Sequence, residues 1–317
     1  MKRFLIAFAL TIASLPVAGQ YPTKPVRMLV GFAPGGGVDI TARLIAAKLT
    51  VRWGKAVIVE NRPGAASNIA TEAVAKSAPD GTTLLMAFSS HASNAALYPA
   101  LPFDITRDFS SITLVATAPV LVVTSLSAPA KTLAELIEYA RAHPGAIRFA
   151  SSGVGTPVHL GGELMMQLTG IRMTHVPYKG IAPAMTAMLA GETEVTYAAV
   201  LSAMQQIKGG RLRPLALASG NRYPGLPDVP TTAEAGLPGF EMDYWYALLG
   251  PAGIPPAIVG QIQRDVSAIV NAPETKESML AQGSIAVGGT PEELDALIRR
   301  DYALWSKVVK AGGVKPE

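Results

Sequence analysis

The 317-residue chain contains no cysteine. Disulfide bonds, a lipid-modified cysteine anchor, thiol catalysis and cysteine-based zinc sites are therefore excluded. Aromatic residues make up only 6% of the chain and no basic cluster is present, so nucleic acid is not an expected partner. Charged residues account for 16% and hydrophobic residues for 49%, a balance typical of a well-packed folded protein.

Beyond its N-terminus the chain also lacks any long apolar run. Lys2 and Arg3 precede an apolar stretch over residues 4–13, and small residues at 17–19 predict cleavage before Gln20. This pattern is typical of a secretory signal peptide, here residues 1–19, which is too short to span a bilayer as a mature helix. Without Lys2 and Arg3, 25 basic residues face 23 acidic ones. We therefore expect a nearly neutral mature protein that lies outside the cytoplasm and is not embedded in the membrane.

A glycine-rich turn follows the first apolar strand, at residues 26–30. Phe32, Ala33 and Pro34 lead into Gly35, Gly36 and Gly37, after which apolar residues recur at helical spacing. Glycines at a helix start leave backbone N–H groups uncovered, and such a turn binds anions; alone, it is equally a tight turn that needs glycine. The spacing matches neither a Walker A loop nor a dinucleotide fingerprint. Asp39, in the first helical turn, is expected to cap the helix or brace the lobe.

A second turn of small residues occupies positions 151–156, after a short strand at 148–150. It carries the hydroxyls of Ser151, Ser152 and Thr156, and Pro157 stands where a helix is predicted to begin. The two turns lie more than a hundred residues apart. Together they indicate two lobes that close on one negatively charged small molecule.

Polar residues also follow the strand predicted at 83–87. They are Ser89, Ser90, His91, Ser93 and Asn94. Because ligands contact open parallel sheets at the carboxyl ends of strands, Ser89 and Ser90 are predicted to touch the ligand. His91 either donates to a carboxylate or lies on a solvated rim.

Strands and helices alternate along the chain, which predicts mostly parallel sheets and an α/β fold. We predict a discontinuous first lobe, residues 20–123 and 243–317, and a second lobe, residues 124–242. The chain would cross between them at about Val123 and Asp243, which defines a hinge. A strand is predicted from Val120, and a short helical piece at 231–235.

Several motifs resemble one family along essentially the whole mature chain and in the same order. They are Tyr21-Pro22-Thr23-Lys24-Pro25, the stretch from Gly31 to Asp39, Val59-Glu60-Asn61-Arg62-Pro63-Gly64, Ala78-Pro79-Asp80-Gly81, the stretch from Ser151 to Thr156 with His159, Val176-Pro177-Tyr178-Lys179-Gly180, and the stretch from Leu226 to Thr231. They resemble the Bug-type extracytoplasmic solute receptors of tripartite tricarboxylate transporters.

The resemblance implies a Venus-flytrap periplasmic binding protein of two Rossmann-like α/β lobes joined by two crossing strands. It also implies capture of an organic carboxylate for a membrane transporter, with no cofactor or metal and no catalysis. The candidate ligands are a di- or tricarboxylate, an acidic amino acid and an aromatic acid. The expected ligand-binding residues are Phe32, Ala33, Pro34, Gly35, Gly36, Gly37, Ser89, Ser90, His91, Asn94, Ser152, Gly153, Gly155, Thr156, His159, Tyr178, Ala199 and Ser202.

Three alternatives remain at the level of the sequence. The same fold serves receptors of other transporter types and ligand sensors for membrane kinases. A periplasmic hydrolase is disfavoured, because no Gly-x-Ser-x-Gly elbow is present.

His159 and Glu163 could share a metal, although two ligands alone are weak evidence. Lys179 could pair with a second carboxylate of the ligand or simply be exposed.

Overall fold

The computed structural model describes residues 21–98, 100–281 and 283–315. The predicted signal peptide lies outside the described residues. Within them, strands and helices alternate as expected. The first elements are β1 (Val26–Val30), α1 (Gly37–Trp53), β2 (Val57–Asn61), a 3₁₀ turn (Ala65–Ser67), α2 (Asn68–Ala75), β3 (Thr83–Phe88), α3 (Ser90–Leu97) and β4 (Phe109–Ser125).

The chain continues in the same way to its C-terminal helix. The remaining elements are α4 (Leu133–Ala142), β5 (Arg148–Ser151), α5 (Pro157–Thr169), β6 (Thr174–Pro177), α6 (Ile181–Leu189), β7 (Val195–Ala199), α7 (Val200–Lys208), β8 (Leu212–Leu217), β9 (Asp243–Pro251), α8 (Pro256–Asn271), α9 (Pro273–Ala281), β10 (Ile285–Ala286) and α10 (Pro291–Gly312).

Local sequence sets the ends of the helices. Pro157 begins α5 as predicted, and the Thr156 hydroxyl accepts a hydrogen bond from the His159 N–H. α10 begins with a capping box, in which Thr290 and Glu293 each accept from the other's backbone N–H. None of the described helices is long and apolar enough to cross a bilayer.

The strands pair in the order β2-β1-β3-β9-β4-β7-β5-β6, and β8 and β10 pair with β4. β1 is parallel to β2 and β3, and β5 is parallel to β6 and β7. β9 and β4 are antiparallel to each other. The parallel strands carry the loops that face each other across the cleft described below.

β4 is a long strand that pairs in both halves of the sheet. Its residues 109–119 pair with β9, and its residues 120–125 pair with β7 and β8. The strand predicted from Val120 thus begins earlier, at Phe109. The chain returns at residue 242, where the Met242 N–H donates to the Ala218 carbonyl, just before β9 begins. The predicted lobe boundaries stay a prediction.

Alternation along β9 sends its side chains into two apolar clusters. Tyr244, Tyr246 and Leu248 belong to one cluster, and Trp245 and Ala247 belong to the other. This is the period of two that a strand imposes. It places two tyrosines on the face of β9 that meets the cleft.

Two predicted elements differ from the structure. Residues 90–97 form a helix, α3, where only a polar stretch after the strand had been predicted. The helical piece predicted at 231–235 is a single turn, closed by an Ala235 N–H to Thr231 carbonyl bond. Thr231 also bridges to Leu217 at the end of β8, and this pairing holds its backbone extended.

Candidate functional site

Loops from the two halves of the chain meet directly at the cleft. The Ala33 N–H, after β1, donates to the Lys179 carbonyl at 3.2 Å. The Ser93 hydroxyl in α3 donates to the Gly155 carbonyl at 2.6 Å. The Gly37 N–H donates to the Ser202 Oγ at 3.1 Å. These hydrogen bonds join the first turn and α3 to the turns after β5 and β6 and to the first turn of α7.

A small inner cavity lies between these loops, with a volume of about 30 Å³. That volume holds roughly one or two water molecules. Its walls are mostly apolar, and its lining residues are Phe32, Gly36, Gly37, Val38, Phe88, Ser152, Val158, Ile181, Ala199, Ser202, Tyr244 and Tyr246.

A larger outer cavity, of about 280 Å³, adjoins it. Phe32 and Ser152 line both cavities. The other residues of the outer cavity are Gly31, Gly64, Ala65, Ala66, Ser67, Tyr98, Gly153, Val154, Pro177, Tyr178 and Lys179. The cleft therefore has a narrow apolar end and a wider, more polar end.

Closely packed aromatic rings form one wall of the inner cavity. The Phe88 ring meets Phe32 edge-on at 5.6 Å and Tyr244 edge-on at 5.0 Å, and it stacks on Tyr246 at 5.8 Å. The Tyr244 hydroxyl already donates to the Tyr197 carbonyl at 2.7 Å. The wall therefore presents mainly ring surface to a ligand.

The Asp39 carboxylate stabilises the first turn through hydrogen bonds. Its Oδ2 accepts from the Gly35 N–H at 3.0 Å, and its Oδ1 accepts from the Asn61 amide at 2.9 Å. Burial alone would raise the pKa of Asp39, but the bonds from Arg43, Gly35 and Asn61 outweigh it and lower that pKa. Asp39 is therefore a charged brace of the turn, as expected. The Gly35 N–H is occupied by this carboxylate.

The second turn is satisfied in a similar way by its own side chains. The Gly153 N–H donates to the Ser151 Oγ, and the Gly155 N–H donates to the His159 Nδ1, both at 3.1 Å. Thr156 donates its hydroxyl to the Gly153 carbonyl at 2.7 Å. In this conformation the amides of Gly153 and Gly155 are therefore not free to hold a ligand.

Unlike its neighbours in this turn, the Ser152 side chain makes no hydrogen bond within the described residues. Its side chain is buried, with the residue only 4% exposed. Its Oγ has no hydrogen-bond partner among the described residues, although it lines both cavities. Because a buried hydroxyl without a partner is unfavourable, this oxygen is a natural contact for a polar group of a ligand.

Two histidines stack behind the second turn. The rings of His159 and His175 lie 3.9 Å apart, and the His175 Nε2 is 2.6 Å from the Ser151 Oγ. Burial, with a smaller contribution from His159, lowers the pKa of His175 to about 3. His175 is therefore uncharged near neutral pH. Ser151 is fully buried and lines neither cavity, so this Ser–His pair braces the turn and is not an accessible nucleophile.

His159 also lies near Glu163, with 3.4 Å between the His159 Nε2 and the Glu163 Oε1. No group of three or more histidine, cysteine or acidic side chains among the described residues is placed to hold a metal ion. The ring nitrogen on the other side of His159 accepts the Gly155 N–H. In this structure His159 thus supports the second turn.

The floor of the outer cavity contains a strained segment. Ala65, Ala66 and Ser67 have φ values of 45°, 51° and 84°, a region that costs a non-glycine residue of order 1–3 kcal/mol. The Asn94 amide donates to the Ala66 carbonyl and to the Asn68 Oδ1, both at 2.8 Å. A Cβ atom on Gly31 would collide with Ser67. Nothing in the sequence of this segment had indicated its conformation.

The residues of the cluster predicted after β3 are all buried. The Ser89 Oγ accepts from the Trp245 N–H at 2.9 Å. The His91 Nε2 lies 3.3 Å from the Ile105 carbonyl, and its ring packs edge-on against Phe109. Burial lowers the pKa of His91 to about 4. Ser89, Ser90, His91 and Asn94 line neither cavity, and Asn94 instead supports the strained segment.

The other predicted residues divide between the two cavities and their surroundings. Phe32, Gly36, Gly37, Ser152, Ala199 and Ser202 line the inner cavity, and Gly153 and Tyr178 line the outer one. Ala33, Pro34, Gly35, Gly155, Thr156 and His159 line neither. Sequence reasoning missed Tyr244 and Tyr246, although two aromatics two positions apart in a predicted strand could have indicated one shared face.

Comparison with known proteins identifies the family. The model for the tripartite tricarboxylate transporter family receptor matches residues 41–314. BugT of Bordetella pertussis is 34% identical over 322 residues, covering 99% of this chain and 99% of BugT. A family match over most of the chain and a relative aligned over nearly its full length agree with each other.

Two solved structures are similar over most of the chain. R. palustris Rpa4515 with adipate has 34% identity and a TM-score of 0.91, covering 94% of this chain and 100% of that one. MatC from Rhodopseudomonas palustris with bound malate has 31% identity and a TM-score of 0.88, covering 91% and 100%. Proteins of this family are substrate-binding receptors rather than enzymes. The chain therefore belongs to the receptor family of the tripartite tricarboxylate transporters, and its two-lobed α/β fold is the periplasmic binding protein fold that the resemblance implied.

Proposed function

We infer that this chain is an extracytoplasmic receptor that captures a small organic carboxylate between its two lobes and delivers it to a tripartite tricarboxylate-type membrane transporter. The buried Ser152 Oγ supports this inference most directly, because it lacks a partner among the described residues and faces both cavities. Bound adipate and malate in similar structures support the same class of ligand. The signal-peptide pattern supports a periplasmic location.

The ligand enters a cleft that must first open. The inner cavity, about 30 Å³, is too small for an organic acid, and loops of both lobes contact each other around it. Entry of an acid group into the inner cavity therefore requires the lobes to part, and closure then returns the turns to one another. A carboxylate that accepts from the Ser152 hydroxyl would gain about 1.5–3 kcal/mol from that charge-assisted bond.

Binding of a panel of small carboxylates, measured by thermal shift and by isothermal titration calorimetry, tests this function. A ligand present at about 100 times its Kd should stabilise the folded protein by roughly 2.7 kcal/mol. Small-angle scattering should show a smaller radius of gyration with the bound acid than without it. Failure of every di-, tri-, amino and aromatic acid in the panel to bind would refute a carboxylate receptor.

Catalysis and partner choice need separate measurements. We expect the bound acid to be recovered unchanged, and conversion of carboxylate esters or amides would instead revive the hydrolase alternative. Uptake by vesicles that contain the transporter's membrane subunits should depend on the added receptor. Ligand-dependent stimulation of a membrane kinase without any uptake would favour the sensor.

A further inference from the structure

We propose that His159 is a positioning residue for closure, because its unprotonated Nδ1 holds the backbone of Gly155 where the Gly155 carbonyl accepts the Ser93 hydroxyl across the cleft. A proton on that nitrogen releases the backbone and weakens the contact between the two halves. The affinity for a captured acid therefore falls as the pH is lowered. This consequence for affinity rests on the proposed function, whereas the chain of hydrogen bonds does not depend on a ligand.

Gly155 lies at the centre of this chain of bonds. Its N–H donates to the His159 Nδ1 at 3.1 Å, and its carbonyl accepts from the Ser93 hydroxyl at 2.6 Å. Its φ is 80°, and a Cβ atom there would lie 2.6 Å from the Leu97 side chain in α3. Glycine fits this position, and glycine also has an unusually free backbone. The direction of the carbonyl therefore depends on the bond that anchors the N–H.

The hydrogen bond from Gly155 also assigns the protonation state of the His159 ring. A ring nitrogen that accepts a hydrogen bond carries no proton, so the neutral ring holds its proton on Nε2. That nitrogen lies 3.4 Å from the Glu163 Oε1, and the carboxylate favours a proton there. A second proton has to enter at Nδ1, where it would meet the Gly155 N–H donor to donor. Protonation of His159 and the Gly155 bond therefore exclude each other.

The titratable neighbours make His159 the ring that gains a proton. On its own helix, the Glu163 carboxylate attracts the positive charge of an imidazolium. From β6, the His175 ring stacks on it at 3.9 Å, and burial together with His159 lowers the pKa of His175 to about 3. From β7, burial and Glu163 raise the pKa of Tyr197, which stays an uncharged phenol. Lys315, after α10, is exposed, so water screens its charge.

A back cavity of about 350 Å³ gives protons a route to this pair from behind the second turn. His159 and Glu163 line the back cavity, and neither lines the inner or the outer cavity of the cleft. Val154 lines both the back cavity and the outer cavity. The other lining residues of the back cavity are His175, Gly312, Gly313, Val314 and Lys315. Protons can therefore reach His159 while the cleft is closed.

Two replacements of His159 test the anchoring role. The probe is adipate or, if adipate does not bind, the acid of the panel that binds most tightly. His159→Asn keeps an oxygen acceptor near the position of Nδ1 but has no proton to gain, whereas His159→Leu removes the acceptor at similar size. Titration calorimetry at pH 7.5 should show that His159→Asn retains the affinity of the unmodified protein. His159→Leu should lose about fivefold, the effect of one lost hydrogen bond.

The pH profile of affinity is a readout that a merely structural role would not change. Between pH 8 and pH 5, where imidazole side chains commonly change charge, the unmodified protein should lose about fivefold more affinity than His159→Asn. The titration of the acid itself is common to both proteins and cancels in this comparison. Glu163→Gln should shift the loss to lower pH, because the charge that favours the imidazolium is gone. Glu138→Gln, exposed on α4, is the matched control and should leave the profile as it is.

Measurements without ligand test the chain of bonds itself. His159→Leu and Ser93→Ala, singly and together, are compared by urea denaturation at pH 7.5. Both changes act through the backbone of Gly155, so the double variant should lose less stability than the sum of the two single losses. Nitrogen-15 NMR of the unmodified protein should show the His159 proton on Nε2 at this pH. If His159→Leu does not fold, the NMR measurement and the profile of His159→Asn decide the question.

The outcomes distinguish this inference from the proposed function. The positioning role would be overturned by additive losses in the denaturation cycle, by a proton on Nδ1 at pH 7.5, or by equal pH profiles for the unmodified protein and His159→Asn. Each of these results leaves the carboxylate receptor standing. Failure of every acid of the panel to bind would overturn the receptor function itself, and the measurements without ligand would still decide the role of His159.

Discussion

The hydroxyl of Tyr246 occupies the space where a Cβ atom on Gly37 would stand. Gly37 is the first residue of α1, and Tyr246 lies in β9 on the wall of the inner cavity. The Ser202 Oγ would lie 3.1 Å from the same Cβ. Glycine is therefore required at this position by close approach, and no left-handed backbone conformation is involved.

Gly37→Ala should destabilise the protein by about 1–3 kcal/mol, as overpacking does in a tight site. Adding Tyr246→Phe removes the hydroxyl oxygen and should restore some of the lost stability. The recovery should be partial, because the ring carbon that carried the hydroxyl would still lie 3.2 Å from the new methyl group. Chemical denaturation of the two single variants and the double variant measures this coupling. Gly220→Ala, at a site with no atom within 4 Å, is the control. Strictly additive effects would contradict the steric account.

Ser152→Ala should separate affinity from stability. The variant removes a buried hydroxyl that has no partner among the described residues, so the unliganded protein should be as stable as before or slightly more stable. Carboxylate affinity should fall about tenfold or more, since one charge-assisted hydrogen bond is lost. Calorimetric titration and urea denaturation measure the two effects.

The neighbouring hydroxyl is the matched control for this variant. Ser151 bonds to Gly153 and His175, so Ser151→Ala should reduce the free energy of unfolding by about 1–3 kcal/mol. Ser152→Ala with unchanged affinity for every carboxylate would remove Ser152 from the site.

Ser93→Ala should weaken closure. Its hydroxyl donates across the cleft to the Gly155 carbonyl, and loss of one such bond, about 1 kcal/mol, corresponds to roughly a fivefold rise in Kd. Scattering should show a larger average radius of gyration for the unliganded variant.

A second serine controls for the loss of a hydroxyl in itself. Ser110 donates to the Pro251 carbonyl between β4 and β9, away from the cleft. Ser110→Ala should leave ligand affinity unchanged. Equal losses of affinity in both variants would show that the Ser93 bond has no special part in closure.

Acid pH should destabilise the protein through its buried histidines. Burial lowers the pKa of His91 to about 4, below the value near 6.5 of an unfolded chain. Between these values the unfolded state binds the extra proton, so the free energy of unfolding decreases as pH falls from about 6.5 to 4, by up to about 1.4 kcal/mol per pH unit for one such group. His175, with a pKa of about 3, adds to this in the same direction.

His91→Gln should therefore flatten the pH dependence of the unfolding free energy, measured by urea titration from pH 7 to pH 4. His143→Gln, at the exposed end of α4, is the control for the replacement of an imidazole outside the core. An unaltered slope in His91→Gln would mean that His91 is not held neutral by burial.

Strong local signals made most of the fold predictable. β1, β5 and the turns after them could be predicted because each is an apolar run followed by glycine or proline. Turn chemistry and hydrophobic period agree at these positions. The α/β class and the family follow from the same stretches. α3 was missed since Ser90, His91, Ser93 and Asn94 look like a loop by propensity. Burial against neighbouring elements overrides that preference.

The site was predictable only in outline. Gly36, Gly37 and Ser152 line the cleft where the turns had indicated it. The amides of Gly35 and Gly155 donate to Asp39 and His159 and are therefore not free. Tertiary packing sets the orientation of those two side chains, so the sequence did not reveal these bonds. The left-handed conformations of Ala65 and Ala66 contradict alanine's own preference. They persist because Asn94, from another element, holds the Ala66 carbonyl.

The continuity of β4 limits how this receptor can be divided or recombined. A fragment that ended between Pro119 and Val120 would leave the pairing edges of β7, β8 and β9 without their shared neighbour. Open edges of that kind invite aggregation, so neither half should fold as an independent module. An exchange of one half between two receptors must therefore keep β4 continuous through residues 119–120 and preserve its pairing with β7, β8 and β9.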